Sequence, residues 1–259
     1  MSAAAPLPVD VRALNALAAV LAALALVAFA AAAVAWLMRS TAFAVRAIEL
    51  EGDLQRNSVS TIRANAMPAL AGNFFGTDLS RARAAFESVP WVRRAVVRRV
   101  WPDRLAVRLE EHRAVALWER EDGNDRLVNG FGEVFEANVG DVEEDDLPQL
   151  SGPEGSAART LAMLRRIQPL FGAHGRQVER LALSGRDSWR VTLDGDVAVE
   201  LGRGADDEVV ARTERFSRTL TQVTARFRAP LLHADLRHAD GYAVRLRGVT
   251  TTAPASKTP

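Results

Sequence analysis

The chain has 259 residues, 48% of them hydrophobic, and a formal net charge of +1. This size is enough for an apolar anchor and about two small folded domains. The near-neutral charge gives no general reason to expect a nucleic-acid partner. The absence of cysteine excludes disulfides, thiol catalysis and Cys-ligated metals.

The N-terminal region contains an uninterrupted apolar stretch. Ala13–Met38 has one polar side chain, Asn15, and is bracketed by Arg12 and Arg39. As an α-helix these 26 residues would be about 39 Å long at ~1.5 Å per residue. Because the hydrocarbon core of a bilayer is about 30 Å thick, the stretch predicts a transmembrane helix over 13–38, preceded by a short tail, 1–12.

A cleaved signal peptide is the competing interpretation of this stretch. Ala31–Ala33 offers a small-residue cleavage site. The apolar run, however, continues through Trp36 and is too long for an ordinary signal-peptide core, so we expect an uncleaved anchor. Arg12 on one side and Arg39 on the other leave the orientation open by the positive-inside rule.

The next segment has the order strand, helix, helix, strand, strand. Phe43–Glu51 predicts a short strand, and Ser58 is the N-cap of a first helix. Thr77 or Asp78 caps a second helix, which Pro90 prevents from continuing. Each element has one apolar side, so we expect an antiparallel sheet with both helices on one face.

A hairpin closes this segment, with a turn at Trp101–Arg104. Three apolar residues of its second arm alternate with small or charged residues, which is typical of a half-buried strand; these are Leu105, Val107 and Leu109. The hairpin also carries a cluster of arginines: Arg93, Arg94, Arg98, Arg99, Arg104 and Arg108. They indicate either a solvated strand face or a docking patch for an acidic protein or anionic headgroups.

After Arg113 the pattern changes to short strands and two helices. Strands are predicted at 114–119, 178–184, 189–193, 197–201, 231–235 and 243–246, and residues 127–128, 129–130 and 134–135 indicate a hairpin or tight turn region. The helices are predicted at 156–171 and 207–226, with an acidic loop at 140–146 and a turn-rich connector at 147–155. The fold class is therefore α+β, with a mostly antiparallel second domain.

Residues that carry chemistry are sparse and scattered. Glu110-Glu111-His112 lacks the second histidine of a zinc-binding HExxH motif. Ser184-Gly185 lacks the frame of a nucleophile elbow, and Gly202-Arg203-Gly204 is too short for a phosphate loop. The sequence therefore predicts no catalytic residue, no metal site and no cofactor.

The last predicted strand is the most informative part of the C-terminal region. Ala243–Leu246 follows a turn signal at Asp240-Gly241 and precedes a Thr-, Ala- and Pro-containing tail that we expect to be disordered. A last strand often lies at a sheet edge, where unpaired backbone groups can bind another chain. From these residues alone, an ordinary closing strand remains the alternative.

A series of short sequence motifs occurs in a fixed order between the hairpin and this last strand. The motifs are Pro90-Trp91-Val92, Trp101-Pro102-Asp103, Glu110-Glu111, Gly132-Glu133-Val134-Phe135, Leu147-Pro148-Gln149-Leu150-Ser151-Gly152-Pro153, Leu201-Gly202 and Asp235-Leu236-Arg237. Together they resemble the FtsQ/DivIB family of bacterial cell-division proteins, over nearly the whole chain. Two positions depart from the family pattern: His238 replaces a tyrosine, and Asn129 replaces an aspartate.

The resemblance implies a POTRA domain at 43–112, an FtsQ-type β-domain at 113–248 and a tail at 249–259. It implies a single-pass type II protein of the cell inner membrane, with most of the chain in the periplasm and concentrated at the division septum. The implied function is a non-enzymatic divisome scaffold that links early and late division proteins. The implied partners are FtsB and FtsL in the periplasm, and other divisome proteins through the POTRA domain.

The resemblance also implies where these partners bind. FtsB would add a strand to the last β-strand of the β-domain. The corresponding residues here are Arg237, His238, Asp240, Gly241, Tyr242, Val244, Arg245 and Leu246, with Arg186 as a nearby salt-bridge donor. The POTRA hairpin is the expected second docking site.

Two other functions remain to be weighed. A membrane-anchored periplasmic enzyme acting on peptidoglycan would need a catalytic constellation. A POTRA-containing outer-membrane transport component would need a long run of barrel strands, each of about 9–11 residues. The motifs described above indicate neither.

Overall fold

A computed structural model describes residues 9–40, 43–52, 55–56, 58–70, 73–120, 123–142, 147–238 and 241–249. The chain divides into two compact units, Met1–Glu111 and His112–Pro259. Within the described residues, the first unit contains an apolar helix and a three-stranded sheet with two α-helices, and the second contains a nine-stranded sheet with two α-helices and a short 3-10 helix, Val139–Asp141. The predicted α+β class is confirmed.

The first helix, α1 (Val9–Arg39), contains the apolar stretch. Ala13–Met38 is long and apolar enough to cross a membrane. The side chains from Ala13 to Trp36 are all exposed, as those of a lipid-facing helix would be. The helix begins within the predicted N-terminal tail, of which residues 1–8 lie outside the described residues.

The elements that follow have the predicted order. They are β1 (Ala47–Gly52), α2 (Val59–Leu70), α3 (Leu79–Glu87), β2 (Val92–Val100) and β3 (Arg104–Glu111). Ser58 Oγ accepts a hydrogen bond from the Thr61 N–H, and the Asp78 carboxylate accepts from the N–H groups of Ser80 and Arg81. Both predicted N-cap positions therefore supply the oxygen that a helix start needs.

The arrangement of the three strands differs from the expected antiparallel sheet. Their order is β1-β3-β2, and β1 runs parallel to β3. The α2–α3–β2 segment crosses over and returns the chain to the end of the sheet where β1 began, which a parallel pair requires. The predicted strand at Phe43 also starts later, at Ala47, while Ala44 forms an isolated bridge with Asn73.

The second unit is built around one large sheet. Its strands are β4 (Ala114–Trp118), β5 (Arg126–Asn129), β6 (Val134–Phe135), β7 (Gln149–Ser151), β8 (Val178–Leu183), β9 (Trp189–Leu193), β10 (Val197–Gly202), β11 (Leu231–Asp235) and β12 (Ala243–Leu246). Their spatial order is β12-β11-β10-β9-β8-β7-β4-β5-β6. Most neighbours are antiparallel; the parallel pairs are β10–β11, β4–β7 and β7–β8.

One predicted connector is a strand. β7 lies inside the 147–155 segment and pairs with β4 on one side and β8 on the other. Its central residue, Leu150, is fully buried. Pro148 and Pro153 flank β7 closely, so the local pattern indicates a turn, while the two neighbouring strands supply the hydrogen-bond partners that make it a strand. Of the predicted acidic loop, residues 143–146 lie outside the described residues.

Two helices cover the central strands. α4 (Ala157–Gly172) packs on β7 and β8, α5 (Asp206–Phe227) packs on β10, and the two helices pack on each other. Ile167, Phe171 and Phe216 from these helices are buried in one cluster with Trp189 of β9. This helical layer leaves β11 and β12 at one side of the sheet, beside α5.

Candidate functional site

The last strand is an edge strand. β12 pairs antiparallel with β11, and in the described part of the chain no strand pairs with its other side. β12 has only four residues, and short strands are common at the edges of natural sheets. The sheet therefore presents one row of backbone groups to a partner here.

The direction of these backbone groups follows from one hydrogen bond. The Arg247 N–H donates to the Pro230 carbonyl oxygen at 3.0 Å, so it points towards the β11 side. Backbone groups alternate in direction along an antiparallel strand. The register shift between Leu231 and His233 lies on β11, so we infer from this alternation along β12 that the N–H groups of Arg245 and Ala243 point to β11 and those of Val244 and Leu246 point to the open side.

The side chains of β12 alternate between the core and solvent. Leu246 is buried and Val244 is half-buried against the core cluster, whereas Ala243 and Arg245 are exposed. Leu246 can therefore meet a partner mainly through its backbone. Arg245 is the β12 side chain with the most freedom to make a charged contact.

Tyr242 ties the start of β12 to α5. Its hydroxyl lies 2.5 Å from Thr219 Oγ1, and its ring packs edge-on against Phe216 with centroids 5.0 Å apart. Tyr242 is thus a structural anchor of the edge as well as a candidate contact. The adjacent Gly241 is exposed.

A basic cavity of about 400 Å³ lies beside Tyr242. Its lining comprises three arginines and Thr219 of α5, with residues of the segment before β12: Arg212, Arg215, Arg218, Thr219, Leu236, Gly241 and Tyr242. The cavity can accept an acidic side chain. The sequence did not single out these arginines, although their spacings of three place them along one side of a helix.

Arg237 is held by a neighbouring carboxylate. Its Nε and Nη2 donate to Asp235 Oδ1 and Oδ2 at 2.9 and 2.6 Å, and its N–H donates to Oδ1 at 3.0 Å. These bonds hold the pKa of Asp235 far below its usual range and raise the pKa of Arg237. The positive charge of Arg237 is therefore largely offset before any partner binds.

Arg186 and His238 lie at the same end of the sheet as the start of β12. Arg186 is exposed in the β8–β9 turn, and the registers place this turn, the end of β11 and Ala243 at one end. Strands β10 and β11 separate Arg186 from β12. His238 is exposed, and Asp240 lies outside the described residues.

The arginines of the first unit's hairpin are mostly paired. Arg98 and Arg108 contact Glu51, Arg104 contacts Glu49, and Arg93 contacts Glu110. These cross-strand ion pairs neutralise much of the positive charge on the outer face of the three-stranded sheet. They favour a solvated strand face over a strongly basic docking patch.

No constellation typical of catalysis appears in the described ranges, which contain no group of three His, Cys, Asp or Glu side chains that could hold a metal ion. His112 stacks on Phe135 at 4.0 Å, and its Nδ1 lies 2.9 Å from Asn129 Nδ2. His174 bridges the hydroxyls of Ser217 and Thr221. These two histidines stabilise local packing.

Two family models match the chain. The FtsQ-type POTRA domain matches residues 43–112, and the C-terminal domain of cell division protein FtsQ/DivIB matches residues 116–237. The matches cover most of both units. They include the hairpin of the first unit and the β-domain up to Arg237.

Full-length relatives agree with these models. Cell division protein FtsQ of Burkholderia pseudomallei is 42% identical over 93% of this chain and 94% of its own length. The FtsQ proteins of Thiomonas arsenitoxydans and Bordetella pertussis are each 38% identical, over 96% and 92% of this chain and 93% and 92% of their own lengths. Since this similarity extends from the apolar helix through both domains, the chain belongs to the FtsQ/DivIB family of bacterial cell-division proteins.

Proposed function

We propose that this divisome protein is a non-enzymatic scaffold that binds FtsB and FtsL by strand addition at β12. The observation that carries the proposal is the open side of β12, towards which the N–H groups of Val244 and Leu246 point. An added strand would extend the nine-stranded sheet by one.

Such a short strand offers few backbone hydrogen bonds, so side chains must contribute to affinity and register. Arg245 is exposed on β12 itself, and Gly241 leaves room for a close approach of the partner backbone. Arg237 would have to exchange its Asp235 contacts for a partner carboxylate. Arg186 is exposed in the β8–β9 turn, but β10 and β11 separate it from β12, so it can pair only with a part of the partner that extends across this end of the sheet.

The proposed location is the inner membrane, concentrated at the division septum, with a short cytoplasmic N-terminus and both domains in the periplasm. The apolar helix α1 and the family relationship support a single-pass protein of the division site. In this arrangement β12 lies in the periplasm, the compartment in which FtsB and FtsL would be bound. The POTRA domain is the proposed site for other divisome proteins.

The test compares two substitutions of Val244. Val244→Pro removes an N–H group from the open side of β12, and we expect it to weaken binding of an FtsB–FtsL complex at least about tenfold, since one lost bond and the ring clash amount to more than about 1.4 kcal/mol. Val244→Thr keeps both the N–H group and the branched shape, and should bind nearly as well as wild type. The measurement is co-purification of the full chain with FtsB and FtsL, followed by titration.

The fold of each variant must be verified by circular dichroism. Because the Val244 N–H does not point to β11, the proline variant should keep its sheet. A folded Val244→Pro variant that binds with wild-type affinity would contradict strand addition at β12. Equal losses in the Pro and Thr variants would point to the side chain instead of the backbone.

A further inference from the structure

One end of the three-stranded sheet is fixed near the end of α1 by the chain itself. β1 starts at Ala47, nine residues after Met38, where the apolar stretch ends. Because β3 runs parallel to β1 and begins opposite Ala47 at Arg104, the β2–β3 turn lies at this same end. The Arg46 N–H donates to the Asp103 carbonyl oxygen at 2.9 Å, which joins the turn to the segment leaving α1.

The connector between α2 and α3 reaches the same end. Asn73 Nδ2 donates to the carbonyl oxygens of Leu37 and Ser40, at 3.1 and 2.8 Å. Leu37 lies in the last turn of α1, where a helix leaves its carbonyls without internal partners, and Ser40 follows the helix directly. The Phe74 N–H also donates to the Phe43 carbonyl oxygen at 2.7 Å. Two loops of the domain are thus bonded to the end of the apolar helix or to the segment that follows it.

These loops carry exposed aromatic side chains. Trp101, at the hairpin turn, is 74% exposed, and Phe75, in the α2–α3 connector, is 39% exposed. Turns in water usually carry Gly, Asn, Asp or Ser, so a tryptophan that leaves most of its surface exposed at a turn is unusual. Tryptophan is the side chain most typical of the boundary between lipid headgroups and acyl chains.

Arginines accompany the aromatic residues. Arg99 donates to the carbonyl oxygens of Phe74 and Thr77 at 2.7 and 2.6 Å, contacts that leave its charge unneutralised. Arg46 is 68% exposed and lies 3.9 Å from Asp103. A mixture of exposed aromatic rings and guanidinium groups fits phospholipid headgroups, which offer an apolar boundary and anionic phosphates.

We propose that this rim, formed by Arg46, Phe75, Arg99 and Trp101, docks on the phospholipid headgroup region of the membrane that α1 spans. The rim gives the domain a second attachment to the bilayer besides the single helix. It thereby fixes the direction in which the three-stranded sheet rises from the membrane. The inference is independent of which proteins bind at β12.

The absence of natural cysteine allows a direct test by site-directed spin labelling. Single-cysteine variants Trp101→Cys and Phe75→Cys place a nitroxide on the rim. Val96→Cys is the matched control: Val96 is exposed on the same strand that leads to the turn, about 16 Å from position 101 at ~3.3 Å per residue. The full chain is reconstituted in phosphatidylethanolamine–phosphatidylglycerol vesicles, and label access to oxygen and to a water-soluble nickel complex is measured.

We expect the labels at 101 and 75 to show at least twofold higher oxygen-to-nickel accessibility ratios than the label at 96. In detergent-free vesicles with one purified protein, lipid is the only medium that raises oxygen access in this way. A label at 101 with the same ratio as the label at 96 would overturn the proposal. Circular dichroism of each labelled variant verifies that the sheet is intact, and Phe75→Cys provides the test if Trp101→Cys does not fold.

Discussion

Gly52, at the end of β1, adopts a backbone φ of +108°, a conformation that residues with an L side chain rarely adopt. A Cβ atom here would lie 2.2 Å from the Leu109 carbonyl oxygen on β3. We expect Gly52→Ala to lower the free energy of unfolding of the first domain by about 2–4 kcal/mol, because it adds backbone strain to a backbone clash. Loss of amide hydrogen-exchange protection in β1 and β3 is the measurement.

Gly76→Ala is the control in the same domain. A Cβ atom at Gly76 would have only the Asn73 carbonyl oxygen nearby, at 3.9 Å. This variant should keep wild-type protection. If both alanine variants behaved alike, the close approach of β1 to β3 at Gly52 would not be the cause.

The Asp235–Arg237 pair predicts a pH dependence of stability. Arg237 lowers the pKa of Asp235, so the folded state holds fewer protons than the unfolded state in acid. The pair therefore contributes fully above the unfolded pKa of about 4, and its contribution is lost as the pH falls below that value. Arg237→Gln should lower the midpoint of urea unfolding at pH 7, by an amount limited by solvent screening.

The difference between wild type and Arg237→Gln should shrink steadily below pH 4. Urea titrations at pH 7, 4 and 3 measure it. A difference that stayed constant over this range would mean that Arg237 stabilises the loop by packing, since only the charge–charge contact depends on the Asp235 proton.

At the scale of the element, β12 has two inequivalent backbone edges. By the alternation that starts from the Arg247–Pro230 bond, the Arg245 N–H points to β11 and the Val244 N–H points away. Arg245→Pro should therefore cost about 1–3 kcal/mol of unfolding free energy, since it removes a ladder bond, whereas Val244→Pro should cost under about 1 kcal/mol. Chemical denaturation of the two variants side by side checks this assignment, and the reverse order would disprove it.

At the scale of the whole molecule, the two units have separate hydrophobic cores. Ile62 is fully buried in the core of the first unit and Ile167 in that of the second. Replacing either by alanine should cost about 2–5 kcal/mol. Because the two clusters share no residue, Ile62→Ala should reduce hydrogen-exchange protection only in the first unit, and Ile167→Ala only in the second. Loss of protection in both units from one substitution would show that they unfold together.

Strong local patterns predicted most elements of both domains. Asp235 ends β11, and Ala243–Leu246 forms β12, as expected from short alternating runs bounded by turn residues. α5 begins at Asp206, one residue before its predicted start. In these segments local preference and tertiary packing agree, which is why the sequence suffices.

Predictions failed where pairing between distant segments decides the structure. Gln149–Ser151 lies in a segment, 147–155, whose Pro and Gly residues indicate a turn, and it becomes a strand because β4 and β8 lie on either side of it. The parallel pairing of β1 with β3 likewise depends on the crossover through α2 and α3. Such non-local contacts leave no period in the sequence.

The candidate site shows the same division between local and tertiary information. The sequence by itself determined the family, the apolar span and the position of the last strand, since these depend on contiguous motifs and on local periodicity. Only the tertiary structure showed that β12 is an edge, that Leu246 faces the core, and that the α5 arginines line a cavity beside Tyr242. These three facts depend on which elements pack side by side, and packing brings together residues that are far apart in the chain.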